Sequence, residues 1–258
     1  MKKVIKVFLS FTLALLMTGT SNANSADTNY VSVSQQLLYA VRTGDSSDVF
    51  IKLLELADQQ ALERQLKTDA AKKAFWLNIY NAFVQKILEE NPGKYKNRNA
   101  FFSNKIIVIA SQKLSLDDIE HGILRKSKIK WSLGYMNKPF AGKFEKKFRV
   151  DSLDNRIHFA LNCGAKSCPP IAYYDPAKID MQLNQATKSY LRNETEYDTT
   201  SNIIYIPKIM DWFRGDFGGK KGIVKMLTEY GVIKNDVAIR FKKYDWTLFL
   251  SNYTKENI

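Results

Sequence analysis

Apolar and polar positions first alternate at helical spacing. Val31 to Arg42 and Asp48 to Ala57 place apolar residues three and four apart, which predicts two amphipathic helices. Lys72 to Glu90 (KKAFWLNIYNAFVQKILEE) predicts the strongest helix, ended by Asn91-Pro92-Gly93. Its middle is apolar nearly all round except Asn78 and Asn81, which share a face. Buried amides must find partners, so these two asparagines are expected to support or line a polar cleft. Lys105 to Ala110 (KIIVIA) reads as a buried strand. Ser115 with Asp118 forms a variant capping box opening a helix that runs to about Lys126. Arg156 to Asn162 (RIHFALN) predicts a strand, Asp175 to Arg192 an amphipathic helix and Ile203 to Ile206 a short strand stopped by Pro207. Lys221 to Tyr230 reads as helix and Val237 to Phe249 as strand. No repeat or long Pro/Gly/Ser linker divides the chain. The expected fold is α+β, a single compact domain with a helix-rich N-terminal part packed on a small mixed or antiparallel sheet.

The first 23 residues follow a different rule. Lys2, Lys3 and Lys6 precede an apolar run from Val7 to Met17, and Ser21 and Ala23 suit a signal-peptidase site. The run is too short for a membrane span and reads as a secretory leader, leaving one domain over 24–258. The mature protein is expected to be periplasmic or secreted, without a transmembrane segment. Cleavage would lower the formal charge of +13 by the three lysines, to +10. Of that, +7 falls between Lys126 and Arg149, where eight basic residues and Glu145 are interleaved with Trp131, Tyr135, Phe140, Phe144 and Phe148. Such a stretch is either a solvated, lysine-rich connection or a face for anionic lipid or polymer. Nucleic acid is not an expected partner for an exported chain.

The densest chemistry lies in RIHFALNCGAKSCPPI, residues 156–171, which holds both cysteines and one of two histidines. In an oxidising compartment Cys163 and Cys168 are expected to form a disulfide, a short closure stabilising by about 2 kcal/mol. The competing reading is a thiol nucleophile, Cys168 or Cys163, activated by His158 or His121. Pro169 and Pro170 could open a helical turn whose free N–H groups lower the Cys168 pKa. On an unbroken strand, His158 and Cys163 would point to opposite faces. Asp117 and Arg125 flank His121 at four-residue spacing, so Asp117, or Glu120, could orient that imidazole as base. Asn78, Asn81 and Arg156 are the candidate substrate-binding residues. The Cys and His spacings match no usual structural zinc motif, and no metal or other cofactor is expected. GDFGGKKG (215–222) precedes a helix but is not a phosphate-binding P-loop.

FWLNIYNA, LSLDDIEHGILR, RIHFALNCGAKSCPPI and IPKIMDWFRGDFGG, in this order, resemble domain-of-unknown-function family 547 over about residues 70–230. The resemblance implies one compact domain of the kind found in exported bacterial proteins and in some eukaryotic multidomain proteins. Its matching positions include Trp76, Asn78, Tyr80, Asn81, Asp118, Glu120, His121, His158, Cys163, Cys168, Trp212 and Asp216, and it names no reaction. Two functions follow from the residues. One is an exported cysteine/histidine-dependent acyltransferase or amide hydrolase acting on envelope or peptide substrates. The other is a disulfide-stabilised binding or scaffold module with a basic face for anionic envelope components.

Overall fold

The computed structural model describes residues 28–233 and 237–255. The expected leader, 1–23, lies outside them. Three helices open the described chain: α1 (Tyr30–Thr43), α2 (Asp48–Glu55) and α3 (Gln59–Gln65). Side chains of Asn29 and Asp58 accept N–H bonds at the starts of α1 and α3, and Gly44 closes α1 in the left-handed conformation. The long α4 (Asp69–Glu90) is then buried on almost every side. Its periodicity is weak because α1, the 156–174 region and the C-terminal segment all pack around it. A helix apolar all round is a core helix. Trp76 and Phe75 are fully enclosed, with Phe144 and Phe148 edge-on to the Trp76 indole.

After α5 (Arg98–Ser103) the chain forms a hairpin of β1 (Ile107–Ile109) and β2 (Gln112–Leu114). KIIVIA is therefore a strand only at its centre, because the chain reverses at Ala110 and Ser111, both with positive φ. A π-helical segment spans Asp118–Leu124, followed by α6 (Lys143–Phe148) and a 3-10 helix at Asn155–Phe159. The strand expected at Arg156 to Asn162 is thus corrected: the chain is 3-10 helix to Phe159 and a turn and irregular chain over 160–162. Asp154 caps the helix by accepting the Arg156 N–H, and residues 157–162 are all buried instead of alternating.

Beyond α7 (Ile179–Glu194), β3 (Glu196–Asp198) and β4 (Ile203–Ile206) pair antiparallel. After α8 (Ile209–Trp212) and α9 (Gly219–Glu229), β5 (Ala238–Phe241) joins β4 in parallel. The fold is α+β, with a small mixed sheet of three strands and a separate two-stranded hairpin. Strand character ends at Phe241. The remaining tail, 242–255, is held along the Cys163–Cys168 loop, where Lys166 N–H donates to Thr247 C=O and Phe249 N–H to Gly164 C=O. That lacing carries Tyr244 and Trp246 to the cavity described next. Among the described residues no helix is long and apolar enough to cross a membrane.

Candidate functional site

The π-helical segment is where sequence spacing becomes chemistry. Ser115 and Asp118 cap its start reciprocally: Ser115 N–H and Oγ donate to Asp118 Oδ2, and Asp118 N–H donates back to Ser115 Oγ. The turn then widens, so Arg125 N–H donates five residues back to Glu120 C=O. Asp117, His121 and Arg125 remain stacked along one side. His121 Nε2 lies 3.4 Å from Asp117 Oδ1, and Arg125 Nη1 lies 2.8 Å from His121 Nδ1. A guanidinium only donates, so Nδ1 is the accepting nitrogen of His121 and its ring hydrogen sits on Nε2, toward Asp117. Both nitrogens of His121 are occupied by this network.

Arg125 itself is fully buried, a setting that requires a carboxylate. Asp216 supplies it from the loop before α9: Arg125 Nε donates to Asp216 Oδ2 at 2.6 Å. The same oxygen lies 2.8 Å from His158 Nε2. Burial opposes the charge on Asp216, but His158 and Arg125 outweigh it and hold its pKa below the ordinary carboxylate value. Burial also lowers the His158 pKa, against the pull of Asp216. The pair is therefore a neutral imidazole donating Nε2–H to an ionised carboxylate. Nδ1 makes no hydrogen bond among the described residues. The Phe213 ring stacks on His158 at 3.9 Å and 13°, and the Arg125 guanidinium lies 4.5 Å from the same ring.

Asp117, His121, His158 and Phe213 border one cavity of about 370 Å³, with Arg125 and Asp216 outside its lining. Its polar side carries Asp117, Glu120, His121, His158, Tyr80 and Lys130. Tyr80 donates to Glu120 Oε2 at 3.2 Å, and burial together with the Glu120 charge keeps the phenol well above its ordinary pKa. Lys130 Nζ bonds both Asp117 oxygens, at 2.9 and 2.8 Å. With His121, it outweighs burial and lowers the Asp117 pKa. The rest of the lining is largely aromatic: Trp212, Tyr244 and Trp246 pack together with ring centroids 4.6–5.4 Å apart, and Phe102, Trp131 and Phe213 also line the space. The space suits a small ligand with an apolar or aromatic body and a polar group presented to the histidine side.

Cys163 and Cys168 form a disulfide at the edge of this cavity. Cys163 contributes to the lining, while Cys168 is 3% exposed. In this form neither sulfur is a thiolate, and neither can act as a resting nucleophile. His158 sits on the 3-10 helix and not on a strand, so the opposite-face geometry does not apply, and His158 and Cys163 both line the cavity.

The candidate substrate-binding residues stand elsewhere. Asn78 and Asn81 are completely buried and hydrogen-bonded mainly to backbone, with Asn78 Nδ2 also donating to Ser34 Oγ. Asn78 pairs with Tyr174 N–H and C=O, and Asn81 with Ala160 C=O and Asn162 N–H. They splice α4 to the 160–174 strap and are not among the residues lining this cavity. Arg156 is held by Asp154 and Asp180 and also lies outside the lining.

Sequence reasoning gave no role to the residue that orients His158. Asp216 sits in the glycine-rich segment, whose signal is packing: Gly134, with φ +88°, and Gly215 bring two backbones into contact around it. A Cβ on Gly134 would fall 2.4 Å from Asp216 Oδ1, and one on Gly215 would fall 2.5 Å from the Gly134 carbonyl carbon. Tyr244 and Trp246 had no local signal at all. Among the described residues no group of His, Cys, Asp or Glu is arranged to hold a metal ion. Neither a curated protein nor a solved structure matches the chain. The family model described as "Protein of unknown function, DUF547" matches residues 64–191, a span holding both histidines and both cysteines, and this match supports the family to which the motifs point.

Proposed function

We propose that the protein is an exported hydrolase that cleaves an acyl or amide bond by general acid–base catalysis in the aromatic cavity. His158 is the base. One observation carries this: His158 lines the cavity with Nε2 held at 2.8 Å by the buried Asp216, leaving Nδ1 as the unprotonated nitrogen. With the cysteines joined, the nucleophile is water, deprotonated by Nδ1 as it attacks the carbonyl; the imidazolium then returns that proton to the departing alcohol or amine as the acyl bond breaks, leaving the carboxylic acid. His121, whose two nitrogens are engaged by Asp117 and Arg125, is a positioning residue in this scheme. The basic, apolar start of the chain and the disulfide both support export.

Hydrolysis of a panel of aryl and alkyl esters and amides by the oxidised protein tests the reading. His158→Gln is expected to abolish turnover while circular dichroism is unchanged. Turnover by His158→Gln at the unsubstituted rate would overturn it, as would an inert panel whose members leave the His158 ring resonances unmoved.

A second reading rests on a separate observation. Trp131 is 75% and Phe140 91% exposed on the segment that carries the surplus lysines, whereas Phe144 and Phe148 are buried. Exposed aromatics beside positive charge suit an anionic interface, with rings at headgroup depth. Sedimentation with phosphatidylglycerol vesicles, lost in a Trp131→Ser/Phe140→Ser variant and in high salt, is the expected result. Equal recovery of both proteins would defeat it.

A further inference from the structure

The two sulfurs of the disulfide occupy unequal surroundings. Cys163 is among the residues lining the cavity, whereas Cys168 is buried and is not. Cys168 Sγ receives the backbone N–H of Cys163 at 3.0 Å and of Ala165 at 3.2 Å. Tyr244 Oη lies 3.1 Å from both sulfurs. Burial pushes the Tyr244 phenol well up, so it remains a donor. A neutral disulfide sulfur is a weak acceptor, so three converging donors are poorly matched to it. They match a thiolate, whose charge would strengthen each bond. A purely structural staple does not need such a cradle, nor an opening onto an aromatic cavity.

We propose that Cys163–Cys168 is a redox-active centre that exchanges with a small organic thiol entering the cavity. The incoming thiolate attacks Cys163 Sγ in line with Cys168. A new S–S bond forms to Cys163 as the Cys163–Cys168 bond breaks, and its electron pair leaves on Cys168 Sγ between the two N–H groups and Tyr244. A second thiolate then attacks the bound thiol's sulfur. Cys163 departs as a thiolate, and Cys163 and Cys168 take up the two protons that the two incoming thiols released. Overall the protein disulfide is reduced to a dithiol while two thiols are oxidised to their disulfide. Trp212, Trp246 and Phe213 favour a thiol with an aromatic or apolar body.

The experiment is exchange of the native, oxidised full chain with 4-mercaptophenylacetate and, separately, with glutathione. The reaction is acid-quenched, alkylated and mapped by mass spectrometry. The mixed disulfide is expected on Cys163 with the alkyl label on Cys168, and the aryl thiol should react faster than glutathione after correction for thiol pKa. Tyr244→Phe should slow opening by about tenfold through loss of one bond to a charged sulfur, with the melting curve of the oxidised protein unchanged. An adduct on Cys168, or exchange no faster than global unfolding, would overturn the proposal and leave a structural staple. The readout is mass on a cysteine and needs no turnover, so its failure is separable from failure of the hydrolase reading.

Discussion

Asp216 and His158 meet through a single oxygen, Oδ2 to Nε2 at 2.8 Å, although 58 residues separate them in the chain. The same oxygen holds Arg125, and both partner side chains are essentially without solvent exposure. Orientation of the base and neutralisation of a buried guanidinium thus depend on one carboxylate.

Asp216→Asn separates those two duties. Its amide can still occupy the site but cannot neutralise Arg125, and breaking a buried pair from one side costs about 3–5 kcal/mol. Urea unfolding should show a loss of that order. For the proposed reaction, an asparagine amide that donates to Nε2 would put the hydrogen on Nδ1, the nitrogen needed as base, and rate losses of about 10⁴ follow such a tautomer change. A variant with unaltered stability would contradict the buried-pair account. One with unaltered turnover would contradict the orienting role.

The pH dependence follows from the depressed His158 pKa. The folded chain keeps the ring neutral while the unfolded chain protonates it near pH 6.5, so protons bind the unfolded state more readily below that value. Stability from this group is present above about pH 6.5 and falls as the pH is lowered toward the folded pKa. The acid limb of activity should likewise lie below about pH 6.5. Histidine ring NMR titration checks this. A His158 that titrates above pH 6.5 would reverse the sign.

A second acid-sensitive group sits outside the cavity. Asp154 accepts from Lys73 at 2.7 Å and from Arg156 at 2.8 Å, and these cations outweigh burial to lower its pKa to about 2. Its contribution is present above the unfolded value near 3.9 and is lost as pH falls to about 2. Asp154→Asn should destabilise the protein by about 2 kcal/mol at pH 7 and make little difference at pH 2. Equal destabilisation at both pH values would assign the effect to the lost cap at Arg156 instead.

Periodicity located most helices because their apolar faces are set locally, and α1, α2, α4 and β4 stand close to where spacing places them. It failed at Arg156 to Asn162, where the chain is buried on both sides and local alternation carries no information. The ladder Asp117–His121–Arg125 was legible because each of its two steps is a four-residue spacing within one helical segment. The Asp216–His158 bond was not, since it depends on where two loops cross. Asn78 and Asn81 were legible as unusual, but their use is decided by backbone from residues 160–174 that no local pattern reveals. The same holds for Tyr244, brought to the sulfurs by a tail whose pairing with the 164–171 loop is long-range.

The loop crossing can be tested without touching any polar group of the site. Gly134 has φ +88°, a conformation unfavourable for residues with a side chain, and its neighbour across the gap is Asp216. In Gly134→Ala the new methyl would sit 2.4 Å from Asp216 Oδ1 and 2.7 Å from its backbone nitrogen, both too close to persist. The Asp216 backbone cannot step aside easily, because Gly215 N–H is bonded to Leu133 C=O at 2.7 Å within the same crossing. The carboxylate should therefore be displaced from His158. The expected result is a stability loss of about 1–3 kcal/mol from strain, with a fall in turnover larger than that of Gly142→Ala, where a Cβ meets nothing within 4 Å. The His158 pKa, followed by NMR, should drop further as its carboxylate recedes. An alanine at 134 that leaves both the melting temperature and the His158 titration unchanged would show that the crossing does not position Asp216.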